Sequence, residues 1–172
     1  MEITKLVGGL VALSFFITIT LAILFYDNYV FFEQYLSELG AGETAFIFNI
    51  GIMITALLML VLYYLMYFKN NKTNFAIGIL SAVFLFGVGL FPLTIKLPHY
   101  LSAALFFLLS FLLITKSVIN LYLQKKKIGF IGIISIIVIL LYMFIFKIPI
   151  MQKLSVLVII IWLTSKIFLK KY

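Results

Sequence analysis

Apolar residues run along the chain in six blocks, near 6–26, 45–68, 74–93, 99–122, 128–147 and 151–169. Each approaches or reaches the roughly 17 to 25 residues that an α-helix needs to cross the hydrocarbon layer of a bilayer. Polar residues and helix breakers collect between the blocks: Asp27 to Glu43, Lys69 to Thr73, Leu93 to Pro98, Gln124 to Lys127, and a tight turn around Lys147, Ile148 and Pro149. The pattern predicts an all-α polytopic membrane bundle of six transmembrane helices, forming a single transmembrane domain over residues 1–172. The last turn is so short that helices five and six must form an antiparallel hairpin. The first block has no clear small-x-small cleavage site before Asp27, so it reads as a retained first helix.

Charge adds an orientation. With the N terminus inside, Lys5, Lys69, Lys72, Lys125, Lys126, Lys127, Lys170 and Lys171 face the cytoplasm, and only Lys96, Lys147 and Lys153 lie outside. Cytoplasmic flanks of membrane helices are enriched in lysine, so both termini are expected in the cytoplasm. Four of the five acids, Asp27, Glu33, Glu38 and Glu43, fall in or beside the first outer loop. Lys116 and Lys166 lie within apolar blocks near their inner ends, where a long side chain can snorkel to the headgroups.

Composition agrees with this picture and removes several kinds of chemistry. Hydrophobic residues make up 66% of the chain and charged residues 10%, with a mean hydropathy of +1.30, far from a soluble domain. All 13 basic residues are lysines. The net charge of +8 therefore lacks the guanidinium fork suited to phosphate recognition, and no nucleic-acid partner is expected. The absence of cysteine rules out disulfides, thiolate nucleophiles and Cys-ligated metal. A lone histidine would leave carboxylates to fill every other protein position around a catalytic zinc, so neither metal nor cofactor is expected.

Close packing should come from small residues at four-residue spacing, Gly8 with Ala12 and Gly78 with Ala82, and from Gly129, Gly132 and Ser135 on helix five. Candidate chemistry gathers at the outer ends of helices one to four. In the first loop, Tyr29, Phe31, Phe32 and Tyr35 are expected to hold a short amphipathic segment against the membrane surface. Gly40 and Gly42 turn the chain into helix two, where the Asn49 amide must find a partner inside the bundle. Pro92 is expected to end helix three, and Pro98 fits the first turn of helix four, with His99 at its top. His99 can meet Asp27, Glu38 or Glu43 there, and a carboxylate neighbour would set its tautomer. Helices five and six are expected to serve as packing support.

The residues Ser37-Glu38-Leu39-Gly40, Phe48-Asn49, Gly89-Leu90-Phe91-Pro92 and His99-Tyr100 with Ala103 resemble those of the DUF998 family of small prokaryotic multi-pass proteins. More distantly the chain is similar to Frag1/DRAM-type membrane proteins. The family often has Asp after the serine, where this chain has Glu38. The resemblance implies a prokaryotic plasma-membrane location and strengthens the outer site without assigning it an activity.

Three readings follow. In the first, Asp27, Glu38, Glu43, Asn49 and His99 form an outer polar site that binds membrane lipid, or the bundle is an accessory subunit with protein partners in a membrane complex. In the second, Ser37, Glu38 and His99 are the catalytic set of an intramembrane lipid-modifying hydrolase. The third is a small transporter or channel, although no acid lies deep in an apolar block.

Overall fold

The computed structural model describes residues 2–68, 71–123, 129–145 and 148–168. Lys69, Lys125, Lys126, Lys127, Lys147, Lys170 and Lys171, which carry much of the predicted lysine asymmetry, lie outside the described residues, as does the connection at Gln124. Among the described residues, five helices are long and apolar enough to cross a membrane: α1 (Glu2–Leu24), α2 (Ala45–Tyr67), α3 (Lys72–Leu90), α4 (Lys96–Leu123) and α6 (Pro149–Phe168). The fifth block is helical too, but shorter. Here α5 (Gly129–Leu140) passes into a wider π-helical turn at Leu141–Ile145.

Sequence neighbours pack against each other throughout, and α6 returns to pack on α1, closing the bundle into a ring. Adjacent ends fix the alternation. A Cβ on Gly8, near the start of α1, would lie 2.6 Å from Ile167 at the end of α6. One on Gly78 of α3 would meet the Tyr63 ring of α2 at 2.8 Å, and one on Gly132 of α5 would strike Val118 of α4 and Trp162 of α6. The predicted small-residue positions are therefore points where a side chain from a neighbouring helix sits against bare backbone.

Several polar residues inside the apolar helices are paired between helices, where no water is at hand to serve them. Ser14 of α1 shares a 2.9 Å hydrogen bond with Thr55 of α2, and Ser81 of α3 shares one of 3.0 Å with Ser110 of α4. Lys166 departs from simple snorkelling. Its ammonium donates to the Tyr67 hydroxyl and to Ser117 Oγ, both at 2.7 Å, and lies 4.8 Å from the centre of the Tyr67 ring. Two oxygens and a π-face within reach compete with the headgroup layer for the charge, and the result ties α2, α4 and α6 together.

Breakers end the helices where expected. Pro92 follows α3, and Pro98 sits in the first turn of α4, where its missing N–H costs no intrahelical bond. At the start of α3 the Asn71 side chain accepts the Asn74 N–H at 2.9 Å, a conventional N-cap.

Candidate functional site

The site begins with the loop between α1 and α2. Asn28 takes a positive φ of 61°, a left-handed conformation that asparagine tolerates better than most residues. This turns the chain back toward the bundle. Gln34 closes the next turn, its side-chain oxygen accepting the Val30 N–H at 2.7 Å. A short 3-10 helix follows at Leu36–Gly40, with Leu36, Ser37, Leu39 and Gly40 all buried. The amphipathic-surface expectation thus holds only for the first part of the loop. Phe31 and Phe32 are exposed, but the second part dips into the bundle.

A buried loop must satisfy its own backbone, and this one does so through identifiable side chains. Glu38 Oε1 accepts the Tyr35 N–H at 2.8 Å while the Glu38 N–H donates to the Tyr35 carbonyl at 3.1 Å. Thr44 Oγ1 donates to the Leu39 carbonyl, and Asn49 Nδ2 to the Gly40 carbonyl, each at 3.0 Å. Gly40 is needed for this approach, since a Cβ there would lie 2.5 Å from Asn49 Oδ1 and 2.8 Å from the Phe48 ring.

The remaining partners come from the other end of the chain. Gln152 Oε1 accepts the Leu36 N–H at 2.8 Å, and Lys153 Nζ donates to the Gln34 carbonyl. The Lys153 ammonium also lies 4.9 Å from the centre of the Phe31 ring and 5.6 Å from that of Tyr29. Two adjacent residues in the first turns of α6 strap loop 1 down.

The other wall is the corner between α3 and α4. Pro92 disfavours the helical conformation at the residue before it, and Phe91 is extended, so its carbonyl leaves the helical ladder without an intrahelical partner. His99, only 2% exposed, fills the gap by donating from Nδ1 to that carbonyl at 2.8 Å. Because a carbonyl can only accept, the proton is on Nδ1, and in the neutral ring Nε2 is an acceptor. The predicted carboxylate partner is replaced by a backbone one.

Between loop 1 and α4 lies a cavity of about 660 Å³. Its polar wall consists of Tyr35, Ser37, Glu38, His99, Tyr100, Tyr142 and Gln152, and its apolar wall includes Ala103, Ala104, Phe107 and Met143. A second recess of about 60 Å³, almost entirely apolar, runs inward among Phe15, Phe48, Ile52, Leu85 and Phe106. The two share Ser37, His99, Ala103, Phe107 and Gln152. The π turn of the fifth helical segment contributes Tyr142 and Met143, a backbone irregularity of the kind often found at functional positions.

Of the residues singled out by sequence, Ser37, Glu38 and His99 converge on this cavity. Asp27 and Glu43 are exposed on the loop and do not line it, and Asn49 faces Gly40. Sequence reasoning missed Tyr35, Tyr142 and Gln152, and α5 and α6 prove to be walls as well as support. Gln152 carried a readable signal: an amide in the first turns of an apolar helix needs a partner. No group of three or more histidines and acids able to hold a metal occurs among the described residues.

Beside the cavity, burial, the Glu38 carboxylate and Tyr26 together push the Tyr29 phenol up to about 12 from its usual 10.0. Since the folded chain holds this proton more tightly than the unfolded one, the associated stability is complete below pH 10 and is lost as pH rises toward 12. Replacing Tyr29 with Phe should remove an ultraviolet phenolate transition in that window; a transition centred near pH 10 instead would contradict the burial.

The family model described as "Protein of unknown function (DUF998)" matches residues 9–166. The chain belongs to the DUF998 family. With its five apolar spans it is a prokaryotic multi-pass plasma-membrane protein. No curated protein and no solved structure matches it. The Ser37-Glu38-Leu39-Gly40 and His99-Tyr100 motifs of this DUF998 chain lie on the two walls of one cavity, and Phe48-Asn49 packs beneath the 3-10 helix.

Proposed function

We propose that this DUF998 protein binds a single amphiphilic molecule of the membrane, its head in the polar cavity beside loop 1 and α4 and the first carbons of its tail against the adjoining apolar recess. The observation that carries the reading is that the two cavities adjoin, with Ser37, His99, Ala103, Phe107 and Gln152 lining both. A polar chamber alone would suit a soluble ligand. An apolar recess beside it favours a molecule with both kinds of surface.

The proposal includes the topology of six crossings with both termini in the cytoplasm, α5 and its π turn forming the fifth. Lys5 and Lys72, at the starts of α1 and α3, and Lys166, near the end of α6, then share the inner side, in keeping with the lysine bias of cytoplasmic flanks. Loop 1, the α3–α4 corner and the cavity belong to the outer side.

The hydrolase reading has less support. Ser37 and His99 line the same cavity, but no hydrogen bond links them among the described residues, and the Glu38 carboxylate serves the Tyr35 N–H rather than the imidazole. A Ser nucleophile needs its base within hydrogen-bond reach.

Ala103 lines both chambers, so Ala103→Phe should fill their junction. The expected result is a loss of about tenfold or more in lipid retained through purification, a change worth about 1.4 kcal/mol of binding, with the thermal midpoint in detergent preserved. Equal lipid content in the two proteins, measured by mass spectrometry of extracts, would sink the binding reading.

A further inference from the structure

Among the described residues that line the cavity, Glu38 carries the only fixed charge, and no lysine is among them. Its carboxylate offers about four acceptor sites, of which the Tyr35 N–H takes one. Around it the wall is rich in oxygen and aromatic surface: Tyr35, Tyr100 and Tyr142 bring phenol rings, Ser37 a hydroxyl, and His99 an Nε2 that accepts when the ring is neutral, because Nδ1 is committed to the Phe91 carbonyl.

The nearest cation on α6, Lys153, does not line this wall. Its ammonium feels the Glu38 carboxylate at a distance, but its direct contacts are behind loop 1, with the Gln34 carbonyl and the Tyr29 and Phe31 rings. An anionic head would therefore face a carboxylate with no described counter-charge in the lining, whereas a cation meets a carboxylate and several π-faces.

On the reading that the cavity holds an amphiphile, we propose that the bound head group carries an ammonium, seated between the Glu38 carboxylate and the rings of Tyr35, Tyr100 and Tyr142. The three conditions for such a site are present together: one carboxylate with acceptor capacity to spare, aromatic residues supplied by three separate segments of the lining, and an apolar wall at Ala103, Ala104 and Phe107 that strengthens the attraction. The apolar recess makes an amine-bearing lipid the fitting source, and a free small amine the alternative source of the same chemistry.

The test uses the whole protein, delipidated in detergent and titrated with phosphatidylethanolamine, phosphatidylglycerol and diacylglycerol of matched chains, and separately with free ethanolamine, reading lipid occupancy by native mass spectrometry. Phosphatidylethanolamine should bind about tenfold more tightly than phosphatidylglycerol, a gap of the size a single desolvated charge contact provides. Glu38→Gln keeps an oxygen for the Tyr35 N–H, so loop 1 stays capped; it should erase that preference. Tyr100→Leu, at a side chain 55% exposed, should weaken the preference about threefold by removing one ring and guards against a folding defect in the first variant.

Equal affinity for the amine and glycerol phospholipids, or a preference that survives Glu38→Gln, overturns the ammonium assignment while the amphiphile reading stands. Failure of every lipid to bind overturns both. Binding of free ethanolamine as tight as that of the lipid keeps the ammonium site but removes its lipid source.

Discussion

Gly89→Ala lowers stability by about 2 kcal/mol although it adds a single methyl group. At this position a Cβ would lie 2.6 Å from the Asn49 carbonyl oxygen and 3.2 Å from the Met53 nitrogen, both backbone atoms of α2, and 2.8 Å from Met53 Cγ. A side chain can rotate away, but a neighbouring helix backbone cannot, so α3 and α2 must separate at this end. Separation there would strain Asn49, whose Nδ2 holds the Gly40 carbonyl, and so disturb the floor of loop 1. Helix propensity works the other way by about 1 kcal/mol for a glycine in a helix interior, but Gly89 is one residue from the end of α3 and gains less. Thermal unfolding in a fixed detergent measures the result. Gly9→Ala is the control, because a Cβ on Gly9 would meet nothing within 4 Å; if the two variants melt together, the close approach of α2 and α3 is wrong.

Gln152→Ala comes next in size. It strands the buried Leu36 N–H, which Gln152 Oε1 accepts at 2.8 Å, and removes the side chain that hydrogen-bonds Tyr142. An unsatisfied buried donor costs about 1 to 3 kcal/mol, and the cost should appear first as local opening of residues 35–40. With a loss near 2 kcal/mol, hydrogen exchange at the Leu36 amide should accelerate about thirtyfold. Exchange at core amides of α2 should change less. An unaltered Leu36 amide would mean that water or another group already serves it, and the strap from α6 would carry no weight.

Hydropathy made the helices legible because the bilayer permits few other solutions: an apolar block of spanning length must satisfy its backbone internally. Boundaries set by Pro92 and Pro98 were legible for the same reason, since a missing N–H acts locally. The fifth block shows the limit. Its composition is that of a span, but near Leu141 the helix widens into a π turn, and nothing in Leu141-Tyr142-Met143-Phe144-Ile145 announces the irregularity.

The site was half legible. Ser37, Glu38 and His99 stood out as polar residues beside apolar blocks, and the cavity brings them together. Their connections were not readable, because each depends on which group is nearest once the chain has folded. His99 had acids available in the sequence but pairs with the Phe91 carbonyl, left by Pro92 eight residues earlier. Gln152 and Lys153 looked like the entrance to a supporting helix. Their roles rest on contacts with Leu36 and Gln34, across a sequence distance that no local pattern spans.

That distance bears on the order of biosynthesis. The residues that fasten loop 1 lie 116 and 119 positions after the residues they hold, so the ribosome must have made the start of α6 before either can act. Throughout translation the 3-10 segment waits with its Leu36 amide and Gln34 carbonyl unmet by these partners, and the chamber beside it has no wall on that side. Arrival of α6 closes the ring against α1 and completes the chamber in the same event. A chamber with all its walls is thus found only in a chain translated through the start of α6, and a chain cut short before Pro149 would present an open face to whatever surveys unfinished membrane proteins.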